Sequence, residues 1–256
     1  MFKGGTMRNN LKIMIYTALM TAFVFITTFI IKIPIPFTNG YIHAGDMCIF
    51  ISGILLGPWY GAFAAGVGSM FADLLGGYVH WAIPTLIIKG VMGFIVGYFA
   101  SEKRNQKHIL AGTLSIWFIA LIGFVLSIKG ADINFLASNV DELAGVENVV
   151  LAISKLNYQL LGVAIIIPLI TVIFYLLKDK YGITFSQLSG MIIAGLWMVL
   201  GYYVTAGIMY GSFIIPIFSL PWNIIQFVTG IALGFIILAG LKKANVSYVS
   251  LHHSHQ

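Results

Sequence analysis

Apolar residues in this chain come in long blocks, not at alternate positions as in a half-buried strand. They run over 11–31, 46–57, 59–75, 83–100, 109–128, 156–177, 187–209 and 221–241, and the short segments between them hold most of the charge. Six of the eight blocks approach the ~20 residues a helix needs to cross the hydrocarbon core of a bilayer. The exceptions, 46–57 and 59–75, are divided by Gly57-Pro58 and read either as two short spans or as one long kinked helix.

The basic residues separate these two readings, because the number of crossings fixes which side each later loop faces. With a hairpin of two spans and a cytoplasmic N-terminus, Lys3, Arg8, Lys12, Lys103, Arg104, Lys107, Lys178, Lys180, Lys242 and Lys243 all face the cytoplasm. Only Lys32, Lys129 and Lys155 then face outside. That is the sense the positive-inside rule requires, whereas a single span would put every basic cluster after residue 100 outside. The expectation is therefore eight spans with both termini cytoplasmic. Three outer features follow: 32–45, 76–82 and the acidic segment 129–155, which carries Asp132, Asp141, Glu142 and Glu147 and has room for a short surface helix. The small residues crowded between Gly57 and Gly77 would let the hairpin pack closely inside the bundle.

Composition agrees with the blocks. With 59% hydrophobic and 9% charged residues and a mean hydropathy of +0.97, the chain has more apolar surface than a soluble core could hide. The reading is a single polytopic, all-α membrane domain over 1–256, embedded in the lipid bilayer of the cell membrane, with no soluble domain. The net charge of +6 would suit nucleic acid, but its clustering between spans assigns it to membrane orientation. The first apolar run lacks a small-residue cleavage site and reads as a retained span. A single cysteine, Cys48, excludes an internal disulfide and a Cys-based zinc site; no metal or cofactor is expected. There is no Walker A sequence, so the chain does not itself hydrolyse ATP. "GVGSM" at 66–70 offers Ser69 but no histidine base at matching depth. The chain is read as no enzyme.

Ionisable groups within spans are costly and normally face a partner or a cavity. Lys89 lies about two turns into its span, a depth of roughly 9 Å, and Asp73 about one turn below the outer end of the preceding one. They form either a structural ion pair or contacts to a ligand. Asp46, after Gly45, reads as a helix N-cap or as a group at a cavity rim. His43, Tyr41, Tyr78, His80 and Trp81 sit at the outer interface, as an aromatic belt or as pocket walls. In "SLPWNIIQFVTG", Ser219 is a candidate cap, while Asn223 and Gln226 share one helix face and would bond either a neighbouring helix or a heteroaromatic ligand. Tyr202 and Tyr203 are further pocket candidates. All except the last two cluster in the outer half of the bundle.

The block from Gly40 through "GDMCIFISGILLGPWYG", "ADLLGGY" and "LIIKG", together with "SLPWNIIQFVTGIALG", resembles the substrate-binding S components of energy-coupling factor transporters, in the group that includes riboflavin, hydroxymethylpyrimidine and pyridoxine carriers. The resemblance covers 11–100 and 187–241. It implies a six-helix core, here with two transmembrane helices inserted over 101–186. It also implies capture of a vitamin or precursor from outside, and partnership with a membrane T component and two cytoplasmic ATPases. Substrate would meet Asn39, Tyr41, His43, Asp46, Asp73, Tyr78, His80, Trp81, Lys89, Asn223 and Gln226. The T component would meet the small-xxx-small pattern Ala18 to Ala22. A hydroxymethylpyrimidine or pyridoxine-type ligand comes first, then riboflavin. The rival is an autonomous, proton-coupled secondary transporter working through Asp73 and Lys89.

Overall fold

The computed structural model describes residues 4–35, 40–101, 107–130, 132, 134, 146–244 and 246. Helix α1 (Gly4–Ile30) leads into a small antiparallel hairpin, β1 (Lys32–Pro34) with β2 (Tyr41–His43), in which Ile33 pairs with Ile42. Then come α2 (Gly45–Leu75), a single 3-10 turn (Val79–Trp81), α3 (Ala82–Ser101), α4 (Lys107–Lys129) and α5 (Val146–Leu177). Helix α6 (Phe185–Met209), a second 3-10 turn (Ile215–Ser219) and α7 (Leu220–Lys243) complete the bundle. Seven helices among the described residues are long and apolar enough to cross a membrane. Asn39 and residues 135–145 of the acidic outer segment lie outside the described residues.

Helix α2 is two helical arms joined at a sharp turn. Gly57 takes φ 80° and ψ −173°, a region of backbone space that is essentially glycine-only. Pro58, whose ring presets a helical φ and whose missing N–H costs nothing in a first turn, restarts the helix. The chain turns back here. A Cβ on Gly61 would lie 2.8 Å from the Gly53 Cα, whereas an unbroken helix would hold residues eight apart at about 12 Å. Helix α3 records both directions. Going up α3, Asp46 pairs with Lys89 and Gly53 packs on Val96, so the first arm runs parallel to it. Gly97 then abuts Gly57, Gly93 abuts Gly61, and Gly66 abuts Gly90 and Leu86, so the second arm runs antiparallel. The seven apolar helices therefore make eight passes, the hairpin the basic residues called for.

The first arm, at twelve residues and about 18 Å, is too short for a bilayer core of about 30 Å. It is not asked to face lipid: every residue from Gly45 to Gly57 except Met47 is buried in protein. Glycines on both arms of α2 and on α3 make that possible, since a side chain at Gly53, Gly61, Gly93 or Gly97 would strike a neighbouring backbone or side chain.

The remaining passes follow by contact. The second arm of α2 runs beside α1, with Gly68 against Thr21 and Gly76 against Lys32. Helix α6, begun by a capping box of Thr184 and Gln187, runs antiparallel to α3: Ser186 Oγ donates to the Phe99 carbonyl at one end, and Thr85 meets Tyr202 at the other. Helix α7 returns along it, with Gly195 against Phe227. Helices α4 and α5 sit on the flank, α4 through Phe124 on Tyr203 (4.7 Å) and α5 through Phe174 on Phe235 (5.2 Å). Their other faces carry exposed Ile116, Ile119, Ile122 and Leu126 on α4 and Leu161, Ile165, Leu169, Val172 and Leu176 on α5. Spaced three and four apart, these are stripes turned to lipid.

Candidate substrate-binding site

At the end of the bundle that carries the β-hairpin lies a cavity of about 580 Å³, counting the part open to the surface. Thr28 of α1, Ile35, Gly40, Tyr41 and His43 of the hairpin region, Asp73 of α2, and Trp81 with Thr85 at the start of α3 form one side. Tyr202, Ala206 and Tyr210 of α6, with Ser219, Asn223 and Gln226 around the start of α7, form the other. Trp81 joins the two sides, edge-on to Tyr202 (5.6 Å) and Tyr210 (6.4 Å). Aromatic rings and convergent polar groups share the lining in near-equal number, the combination by which ligand cavities hold and orient a molecule.

Behind the cavity wall is a buried polar network. Lys89 pairs with Asp46 Oδ1, both side chains wholly enclosed, and its Nζ also approaches the Met198 sulfur at 2.8 Å. Gln226 Nε2 donates to Asp46 Oδ2 (2.9 Å), and Gln226 Oε1 accepts from the His43 backbone N–H (3.0 Å). Two expectations are corrected here. The partner of Lys89 is Asp46 and not Asp73, because the turn at Gly57 lays the start of α2 directly beside the middle of α3. Asp46 is no N-cap either: α2 starts without a side-chain cap, and both carboxylate oxygens are spent on Lys89 and Gln226. Ser219 likewise makes no cap bond, donating instead to the Pro216 carbonyl (2.7 Å).

Nearer the surface, Tyr41 Oη donates to Asp73 Oδ1 (2.6 Å) and its ring rests on Tyr78 (4.5 Å). Burial, with the Asp73 charge next in importance, raises the Tyr41 phenol far above its ordinary range. The Lys32 ammonium stands over the rings of Phe29, Tyr41 and Tyr78 at 4.8–5.2 Å, and burial lowers its pKa. His43 Nδ1 accepts from the Gly45 N–H (3.0 Å). Burial first, then the nearby Lys89 charge, hold this imidazole down at about 3, so it is neutral at ordinary pH.

Of the candidates named from sequence, Tyr41, His43, Asp73, Trp81, Asn223, Gln226 and Tyr202 line the cavity. Asp46 and Lys89 stand behind it, Tyr78 supports Tyr41, His80 is exposed, and Tyr203 packs on Phe124. Asn39 lies outside the described residues. Sequence reasoning missed Thr28, Ile35, Gly40, Thr85, Ala206 and Tyr210. The last two were within reach, since 202, 206 and 210 recur at four-residue intervals on one helix face; Thr28 and Thr85 are single hydroxyls in apolar runs with no pattern to mark them. Among the described residues no group of three His, Cys, Asp or Glu side chains is placed to hold a metal.

A polytopic helical bundle with a half-open aromatic cavity at one face is the architecture of a membrane-embedded carrier of small molecules. The chain belongs to the family described as ECF-type riboflavin transporter, S component, whose sequence model matches residues 8–173. It is therefore a vitamin-binding transporter subunit and a multi-pass protein of the cell membrane. The match runs on through 101–173, across most of the pair of helices read as an insertion, and ends before α6 and α7. A Pyrococcus woesei protein described as "Uncharacterized protein in gap 3'region" is 44% identical over 100 residues, 39% of this chain and 67% of that protein. No solved structure matches the chain.

Proposed function

We propose that the chain captures a flat heteroaromatic B vitamin from outside, riboflavin in the first place, and hands it to an ATP-driven module. The observation that carries this is the cavity itself: Tyr41, Trp81, Tyr202 and Tyr210 offer ring faces and edges for a planar heterocycle, and Asp73, Thr85, Asn223 and Ser219 offer polar atoms along its edge. The order of preference expected from the sequence is reversed, because the family is described by riboflavin. The experiment is to extract the purified protein, identify the copurifying small molecule by mass spectrometry, and titrate riboflavin, pyridoxine and hydroxymethylpyrimidine. A bound flavin supports the reading; pyridoxine or hydroxymethylpyrimidine bound in place of riboflavin overturns the choice of vitamin.

The partners proposed are a membrane T component and two cytoplasmic ATPases. Ala18 and Ala22 are exposed on α1, one turn apart, and leave a shallow strip where a foreign helix can approach closely. Ala18→Leu is expected to abolish copurification with the T component while riboflavin affinity stays the same. Uptake by the chain alone into vesicles under a proton gradient, with no ATPase present, would sink this reading in favour of an autonomous transporter.

A further inference from the structure

On the flank of the bundle, away from the vitamin cavity, a crevice of about 240 Å³, counting the part open to the surface, lies between α5, α6 and α7. Ile167 and Phe174 of α5, Ile192 of α6, and Phe227, Val228 and Ile231 of α7 line it. Its one hydroxyl, on Thr171, donates to the Ile167 carbonyl of its own helix (2.8 Å), so the walls present hydrocarbon. Thr171 and Val228 are half-buried and the neighbouring Val172 and Ile173 are exposed, which opens the crevice on the lipid-facing side.

Beyond Phe174, α5 ends in a turn that carries Lys178 and Lys180 and closes on itself. The Gly182 N–H donates to the Asp179 carbonyl (3.1 Å) and the Ile183 N–H to the Lys178 carbonyl (2.7 Å). Helix α7 ends beside this turn in Lys242 and Lys243. A Cβ on Gly182 would lie 2.6 Å from Lys242 Nζ, so the ammonium of one helix end rests on the turn that follows the other. Lys178 is paired with Asp179 (2.8 Å). Among the described residues no carboxylate pairs with Lys180, Lys242 or Lys243, and all three are exposed. The positive-inside rule accounts for lysines at this end of the bundle, but not for their meeting from two helices above the apolar crevice between those helices.

From this juxtaposition we propose a site for an anionic phospholipid: one acyl chain lies in the crevice between α5 and α7, and Lys180 and Lys242 hold the phosphate. The depth fits. Phe174 and Ile167 lie about 6 and 16 Å along α5 from Lys178, within one leaflet, half of a hydrocarbon core of about 30 Å. The chemistry fits at both ends. Each ammonium offers three donors to phosphate oxygens, and basic pockets between helix ends suit anionic headgroups. A polar solute entering the crevice would lose its water with no partner in return, whereas an acyl chain loses nothing. A zwitterionic lipid brings a cation of its own to the lysines and gains less. The lipid bridges α5 to α7 at the end opposite the cavity, and the site is independent of which vitamin the cavity takes.

The test is native mass spectrometry of the full chain released from mixed micelles with equal amounts of dioleoyl phosphatidylglycerol and dioleoyl phosphatidylcholine. The wild type is expected to retain phosphatidylglycerol at least fivefold over phosphatidylcholine. Lys180→Gln combined with Lys242→Gln should bring that preference below twofold. Lys129→Gln combined with Lys155→Gln removes the same charge from exposed positions at the opposite end and should leave it unchanged. Val228→Phe fills the crevice with the lysines intact and should cut retention of phosphatidylglycerol at least threefold; Val228→Met takes its place if that chain does not fold. Dihexanoyl phosphatidylglycerol and inorganic phosphate should not displace the long-chain lipid. Equal retention of the two lipids overturns the proposal, as does a preference that survives the loss of Lys180 and Lys242 or falls equally in the control pair. A preference untouched by filling the crevice, or abolished by inorganic phosphate, shows a basic surface only and overturns it too.

Discussion

Replacing Lys89 by methionine strips one partner from an ion pair whose two side chains are both fully enclosed. The Asp46 carboxylate would keep only the Gln226 amide, 2.9 Å away, and would stay in a site with no water to solvate it. Breaking a buried pair from one side costs about 3–5 kcal/mol, most of it the burial of the stranded charge. For a chain of this size, each kcal/mol moves the unfolding midpoint by roughly 2–4 °C, so the expected loss is on the order of 6–20 °C. Tryptophan fluorescence during heating in detergent reads it, with five tryptophans in the chain. Lys178→Met is the control: its partner Asp179 is largely exposed, and such pairs are worth at most about 1 kcal/mol. The decisive arm is Asp46→Asn combined with Lys89→Met. The asparagine carbonyl still accepts from Gln226 and no charge is left behind, so most of the loss should return. A double variant no more stable than Lys89→Met alone would refute the argument, because it would mean that the stranded carboxylate was not the source of the cost.

Three further outcomes are expected. In a background with Cys48 replaced, single cysteines at Ile33 and Val79, both exposed and at either end of the α2 hairpin, should react with an impermeant thiol reagent from the same side of the membrane. Reaction from opposite sides would show that α2 crosses once. Gly57→Ala should cost about 1–3 kcal/mol, because alanine is strained at φ 80° and ψ −173°; an unchanged melting temperature would contradict the turn. His43 has a folded-state pKa of about 3 against an unfolded value of about 6.5, so the unfolded chain takes up the proton first. Its contribution to stability is complete above about pH 6.5 and declines as pH falls toward 3. His43→Gln should flatten the melting temperature over that window, and an unaltered slope would refute the assignment.

The number of passes was legible because it depends on a one-dimensional count. Each apolar block and each basic cluster adds one sign, and parity turns those signs into a hairpin at Gly57-Pro58 without any knowledge of packing. The same count placed Tyr41, Asp73, Trp81, Asn223 and Gln226 at one end of the bundle, and the structure gathers those five around one cavity. Pairing was not legible. Asp73 and Lys89 lie sixteen residues apart at the outer ends of successive passes, which makes them obvious partners on paper. What decides the matter is lateral: the glycine contacts of Gly53, Gly61, Gly93 and Gly97 draw the first arm of α2 against α3 so closely that Asp46 reaches Lys89 first. Helix-to-helix distance is set by the side chains missing from both surfaces, and a single sequence does not say which small residues face each other.

That lateral choice bears on how the cavity works. The first arm of α2 is too short to span on its own and turns into the second at one glycine, yet its start stands directly behind the cavity wall. Lys89 from α3 and Gln226 from α7 both bond Asp46, and both approach the Met198 sulfur of α6, so that start is tied to three helices. Gln226 is bonded inside the protein: its carbonyl accepts from the His43 N–H and its NH₂ donates to Asp46 and approaches the Met198 sulfur. It serves the cavity as a brace between α7 and the β-hairpin. Asn223, one turn earlier, lines the cavity and donates a long bond to Ser219 (3.5 Å). The two acids divide in the same way: Asp46 is consumed inside the protein behind the wall, and Asp73, holding the Tyr41 hydroxyl, lines the cavity. A wall organised in advance spares the ligand the entropy of ordering it, so affinity should depend steeply on Asp73 and Asn223, and stability on Asp46, Lys89 and Gln226.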